Sequence, residues 1–512
     1  MTATRTAVAV LFALALAAPV AARDDGKDHQ HHHGPREKLG TVVFPTSCAP
    51  GSQAPFTRAV ALLHSFWYAE ADKAFDRIAA ADPGCAMAWW GIGMSNYHPI
   101  WAAPTEAEFA RGREAVAKAL AAGAKTAREK DYIAALAQFF SDPAQADHRT
   151  RAVAYQKAME ALAARYPDDR EASIFHALSL LGTASPADKT YANQKKAGEI
   201  LNRVLPLQPD HPGVAHYLIH SFDYPALAEM ALPAARSYSR IAESSPHALH
   251  MPSHIFVRLG LWDDAIRSNE ESAAAALAHI HKTDPGSSAF DELHALDYLE
   301  YAFLQEGKTD KAREILDRVR AVKRLDNPQF AAAYALAAVP ARFALERGEW
   351  KEAAALSVEA PWFPWEKHPN AEAITHLARA IGAARSGDLP RAREATARIS
   401  ALHDAAIALK MPYWPDQIEI QRREAAAWIA QAEGKKDEAL ALMSSAVELE
   451  ASTDKHPVTP GPVLPARELL GDLLMENGRP AEARAAYEAS LAVAPKRLYP
   501  LAKLRAIAAV KP

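Results

Sequence analysis

Cysteine is nearly absent: the chain has two, Cys48 and Cys85, among 512 residues. Two thiols cannot build a four-cysteine zinc module. HExxH is missing too, as is every other recognised catalytic signature. Val, Ile and Thr are sparse outside short pockets, and no run alternates apolar and polar residues as a half-buried strand does. Beyond the first 22 residues nothing approaches about 18 unbroken apolar positions, so no transmembrane segment is expected in the mature chain. Neither sign of charge dominates: 58 Lys and Arg face 62 Asp and Glu. That slight acidity gives no footing for nucleic acid, which is not expected as a partner.

Helix formers fill the space these absences leave. Apolar residues make up 49% of the chain, and alanine leads them. Ala, Leu, Glu, Lys and Arg lose little freedom in a helix, so an all-α chain is predicted. The first 22 residues, MTATRTAVAVLFALALAAPVAA, place one Arg5 before an apolar run that closes on Ala21 and Ala22. This is the secretory pattern, with cleavage expected after Ala22 and a periplasmic or secreted product. Residues 23–40 read as a flexible, His-rich segment carrying His29, His31, His32 and His33.

Export bears on the two thiols. Cys48 lies in a Pro/Ser-rich lead-in and Cys85 follows an Asp-Pro-Gly turn. If the residues between them form an up-and-down helix pair, both return to one end of it. A disulfide there would stabilise by up to roughly 4 kcal/mol in the chain-entropy account. The alternative is two buried thiols.

The decisive signal is internal repetition. Ala71-Phe75-Ile78-Pro83, Ala197-Leu201-Val204-Pro209, Ala234-Tyr238-Ile241-Pro246 and Ala483-Tyr487-Ser490-Pro495 share one spacing. Inner-turn glycines recur at Gly260, Gly307, Gly348, Gly387, Gly434 and Gly478. The pattern resembles the tetratricopeptide repeat, a helix–turn–helix unit of about 34 residues. That resemblance implies a right-handed α-solenoid of about nine or ten stacked pairs, irregular in the middle, with a concave groove. It divides into an N-terminal array over 41–330 and a C-terminal array over 331–512. The strings LLHSFWYAEADKAF, DPGCAMAWWGIGM, HALHMPSHIFVRLGLWDDAI and HALDYLEYAFLQ are similar to a group of exported bacterial tetratricopeptide proteins. The likeness carries fold and export, and no activity.

Histidine is not scattered over this frame. Of 21 histidines, 17 lie at or before His294. His216 and His250 are 34 apart, as are His220 and His254, and as are His64 and His98. The loops between the coupled pairs differ in length by compensating amounts, so the equivalence is helix by helix. Residues i and i+4 share a helical face, which makes His216/His220 and His250/His254 vertical pairs. His247 extends the second pair by a turn, and His294-Asp297-Tyr301 occupies the corresponding place on the next helix. Pro252 predicts a helix that either starts there or starts at Pro246 and bends. In the tetratricopeptide resemblance these positions face the groove.

Neutral imidazole is the commonest transition-metal ligand, and His-x-x-x-His on a helix offers two ligands at once. The metal candidates are therefore His216, His220, His247, His250, His254, His294 and Asp297, for Zn, Cu or Ni. His64, His98, His176, Asp223 and Tyr301 are further groove candidates, and Trp362, Trp365 and Trp414 are loop aromatics open to stacking or capping. The reading that needs only the fold is an exported binding scaffold whose His-lined groove takes a metal, a peptide or a partner protein. A metal-dependent hydrolase on the same cluster, with Asp223 or Glu300 as general base, is the alternative.

Overall fold

The computed structural model describes residues 37–100, 103–141, 143–144 and 146–509. The expected leader over 1–22 and the histidines at 29–33 lie outside the described residues. Of the segment 23–40, Lys38 and Leu39 are anchored: Lys38 Nζ reaches Glu243 at 2.6 Å and Leu39 is buried.

Among the described residues every regular element is a helix, apart from an isolated bridge between Ser288 and Leu325. The chain is an all-α solenoid of stacked helix–turn–helix pairs. Local signals set many ends. Thr105 and Thr126 each close a capping box with the Glu three residues on, satisfying free amide groups of the first turn. The repeat residues bring paired helices together. Phe75 on Tyr68–Ala81 packs on Gly91 of Ala86–Ser95, where a Cβ would sit 2.3 Å from the ring. Tyr487 covers Gly471 in the same way, at 2.4 Å. Ala71, Ala197, Ala234 and Ala483 are all buried at the same seam.

Cys48 and Cys85 form a disulfide, their sulfurs 2.02 Å apart, between the lead-in and the start of Ala86–Ser95. Trp365 donates its indole N–H to the Glu359 carbonyl at 2.9 Å, and Trp414 packs on Phe330 and His456, so both cap loops between helices. Trp362 is partly exposed. No helix among the described residues is long and apolar enough to cross a membrane.

Residues from Lys38 onward form one compact unit. The C-terminal segment returns to the middle helices instead of leaving them. Trp262 Nε1 donates to the Lys496 carbonyl at 3.1 Å, and the Gln305 side chain accepts from the Leu498 amide at 2.8 Å. Gly260, with φ +63°, has no room for a Cβ beside the Pro495 carbonyl at 2.5 Å. Between them Arg497 is fully buried, bonded to Glu468 at 2.6 Å, Glu346 at 2.6 Å and the Tyr301 hydroxyl at 2.8 Å.

Removing that guanidinium leaves two buried carboxylates unpaired, so Arg497→Met is expected to cost about 3–5 kcal/mol of stability. Thermal or denaturant unfolding checks this; a change below about 1 kcal/mol would show that the C-terminal closure carries no weight.

Candidate metal centre

Three helices in succession carry the histidines. Pro212–Phe222 begins behind His211, whose Nδ1 accepts the Val214 amide at 3.3 Å. The next starts at Pro246, capped by Ser245, and runs Pro246–His250 then Pro252–Leu259. Met251 between them keeps helical angles (φ −52°, ψ −36°), so the backbone continues while Pro252 interrupts its hydrogen bonding. The third is Phe290–Gln305.

These helices gather the imidazoles into two triads. His216, His220 and His247 bring one ligand nitrogen each within 4.8 Å of the others, and so do His250, His254 and His294. The middle helix serves both. All six side chains are 8% exposed or less, so they sit beneath the surface instead of lining an open groove. Phe66 covers the first triad, its ring 4.3 Å from that of His216, and the segment around Lys455 covers the second.

Hydrogen bonds fix which nitrogen points inward. His250 Nδ1 lies 2.7 Å from Asn269 Oδ1, and Asn269 is oriented by its own Nδ2 donating to the Ala265 carbonyl at 2.8 Å. His254 Nδ1 lies 3.0 Å from Asp223 Oδ2. Both partners are acceptors, so both Nδ1 atoms carry the proton. The two Nε2 atoms then present lone pairs to each other at 3.0 Å. In the first triad His216 Nδ1 donates to the His64 carbonyl at 2.7 Å, and its Nε2 faces His220 Nε2 at 3.1 Å.

Burial, reinforced by neighbouring imidazoles, holds His220, His247, His250 and His294 well below the ordinary histidine value. His216 is pushed down to about 3 by burial, against its bond to the His64 carbonyl. His254 is lowered by burial, with Asp223 opposing. The cluster is therefore neutral near pH 7. Asp223 has the opposite character: burial pushes it up, but Lys455 at 2.6 Å, Arg258 at 2.8 Å and His254 outweigh burial and keep it ionised.

The remaining candidates fall elsewhere. Asp297 does not join the imidazoles; it pairs with the fully buried Arg342 at 2.8 Å, which also takes Glu300 at 2.7 Å. A buried guanidinium demands that compensation. His64, His98 and His176 do not form a second cluster. His64 Nε2 donates to Glu171 at 2.9 Å and its Nδ1 accepts from the Tyr217 hydroxyl at 2.9 Å. His211 Nε2 donates to the other Glu171 oxygen at 2.8 Å, so this group is satisfied without a cation. His98 bonds the Ser95 carbonyl at 2.8 Å against the Tyr68 ring, and His176 is buried apart from both. Tyr301, besides holding Arg497, lines a cavity of about 310 Å³ with Arg258, Lys455, Tyr334 and Trp414. His211, Asn269, Arg258 and Lys455 carried no repeat signal and were not legible as site residues.

Residues 464–497 match the tetratricopeptide repeat family model, spanning helices Ala466–Glu476 and Pro480–Val493. No curated protein matches the sequence. Among solved structures, a human IFIT1 dimer with m7Gppp-AAAA is similar at 12% identity and TM-score 0.39, over 80% of this chain and 90% of that one. The Cut9 and Hcn1 hetero-tetramer of the APC/C is similar at 12% identity and TM-score 0.32, over 89% and 83%. Yeast Tom70 is similar at 10% identity and TM-score 0.32, over 88% and 87%.

The histidine shifts make stability depend on pH. His216 binds its proton near 6.5 when unfolded and near 3 when folded, so acid favours the unfolded chain. Stability is full above about 6.5 and falls as pH drops, His216 alone losing on the order of 1 kcal/mol by about pH 5.5. The other five act in the same direction. Asp291, Glu300 and Glu450, whose carboxyls burial pushes up to about 7, 8 and 7, act in the opposite direction. Melting of the metal-free chain is therefore compared with that of its His216→Gln variant between pH 7.5 and 5.5; an unchanged slope in the variant would contradict a buried neutral His216.

Proposed function

We propose that this helical-repeat scaffold, exported to the periplasm or secreted, holds a transition-metal ion on His250, His254 and His294 and offers its repeats to a protein or peptide partner. The observation that carries the metal is the 3.0 Å approach of two Nε2 lone pairs. Two like dipole ends at that distance repel unless a cation stands between them. A proton is a poor candidate, since burial disfavours the imidazolium. A metal ion fits, because ligating histidines turn their other nitrogen to a carboxylate or amide acceptor, as His254 does to Asp223 and His250 to Asn269. Zn, Cu and Ni all suit imidazole.

Holding is favoured over hydrolysis. Asp223 is engaged by Lys455, Arg258 and His254, and Glu300 by Arg342, so neither carboxylate is placed as a base for a metal-bound water. The export reading rests on the leader pattern, and the partner reading on the repeat architecture.

Metal content of the full chain, with His29→Ser, His31→Ser, His32→Ser and His33→Ser to silence the N-terminal stretch, tests this. Stoichiometric metal is expected, lost in His250→Ala/His254→Ala and weakened about 10–100-fold in Asp223→Asn. A parent chain that takes up no metal, even after incubation with Zn or Cu, overturns the proposal.

A further inference from the structure

No imidazole of either triad lines the cavity of about 310 Å³ beside Tyr301. Its wall is drawn from well-separated parts of the chain. Tyr334 comes from Phe330–Leu345, Asn370 from Pro369–Arg385, Gln421 from Trp414–Ala432 and Glu450 from Lys436–Ser452. The exposed lining residues Pro225, Ala226 and Val493 mark its mouth. Its size lies at the small end of ligand pockets, which span about 300–1,000 Å³.

The charged groups of this wall are already answered. Arg258 and Lys455 meet Asp223, Arg497 meets Glu468 and Glu346, and Asp454 pairs with Lys189 at 2.9 Å. Burial pushes the Glu450 carboxyl up to about 7, against the Ala466 amide and the Arg467 charge. What lacks a partner is neutral. Among the described lining residues, the buried side-chain atoms without a hydrogen bond are Nδ2 and Oδ1 of Asn370 and Oε1 of Gln421. Asn370 is 1% exposed, too deep for bulk water to satisfy it. A buried amide left unpaired is costly, and native folds keep few of them.

The backbone of the same wall is strained. Tyr413 has φ +70° and ψ −44°, and the Trp414 amide donates across it to the Pro412 carbonyl at 2.8 Å. This is the rarer hand of γ-turn, unfavourable for a residue with a side chain, and such strain gathers at ligand sites. It sets Tyr413 and Trp414 together in the cavity wall, both packed on His456.

A carboxamide presents a donor and an acceptor side by side in one plane. Its complement is an amide with N–H and C=O on one edge, as in a lactam or cyclic imide; a single trans peptide bond puts them on opposite edges. We infer that this cavity binds a small neutral ring amide, paired edge to edge with the Asn370 carboxamide and packed on Tyr413 and Trp414.

Calorimetric titration of the full chain with quinolin-2-one, a bicyclic lactam, tests this. Saturable one-to-one binding is expected, about tenfold tighter than for N-methylquinolin-2-one, whose donor is blocked. Asn370→Leu should lose the lactam while melting no lower than the parent, because it removes an unpaired buried amide. Ala451→Trp, which fills the cavity from an exposed lining position, should lose it too. No saturable binding of quinolin-2-one, or equal binding of its N-methyl form, overturns the inference. A lower melting temperature in Asn370→Leu would assign that amide to the fold and overturn the pairing; retained binding in Ala451→Trp overturns the location. Tighter binding of N-acetyl-trialanine N-methylamide, which offers only trans peptide bonds, overturns the ring amide in favour of a peptide.

Discussion

The close approach of His250 and His254, nitrogen to nitrogen, is the contact on which the rest of the site depends. Two imidazoles on one helical face meet easily; holding both with the same tautomer does not happen by itself. Asn269, from Trp262–Thr283, fixes one ring, and Asp223, just past Pro212–Phe222, fixes the other. A buried Asp223 is tolerable only because Arg258 and Lys455 meet it, and Lys455 arrives from 232 residues away. The segment around Lys455 therefore belongs to the same construction as the clustered imidazoles. Fold closure and site geometry are one problem here.

The neighbouring His64–Glu171–His211 group shows why burial and proximity alone decide little. It is as buried as the two triads, and its ligand atoms are as close. Yet each nitrogen finds a complementary partner: Nε2 donates to Glu171 in both rings, and each Nδ1 accepts, from Tyr217 or from the Val214 amide. Burial works against the Glu171 charge, the two imidazoles prevail, and its carboxyl is held down to about 2. That group ties helices together. The second triad differs in having two inward lone pairs with no proton to share, and the difference lies in the outer partners.

The fold was legible because a solenoid repeats its instructions. The Ala–aromatic spacing reports the helix seam, as Phe75 on Gly91 and Tyr487 on Gly471 show. The 34-residue recurrence of His216/His220 and His250/His254, with His247 one helical turn before His250 and His294 on the following helix, picked out in the sequence the six imidazoles that the fold brings together. What the repeat does not encode was not readable. Asp297 shares a helix with His294, but a buried Arg342 from 45 residues on claims it. His98 follows His64 at the repeat interval and still lands elsewhere, because it lies three residues past the end of Ala86–Ser95, whereas His64 is still within Gln53–His64. Burial in place of an open groove follows from Phe66 lying on the first triad and from Lys455, in a segment without repeat signal, reaching Asp223 beside the second.

Observing the protons on His250 and His254 tests the central claim most directly. Long-range proton–nitrogen NMR correlations on the metal-replete chain, with histidine labelled in nitrogen-15 and assigned through single His→Gln variants, report which ring nitrogen carries hydrogen. The account predicts Nδ1–H on both rings, with both Nε2 resonances shifted by metal and reverting on chelation. An Nε2–H on either ring of the metal-replete chain would make the 3.0 Å contact an ordinary hydrogen bond and contradict it.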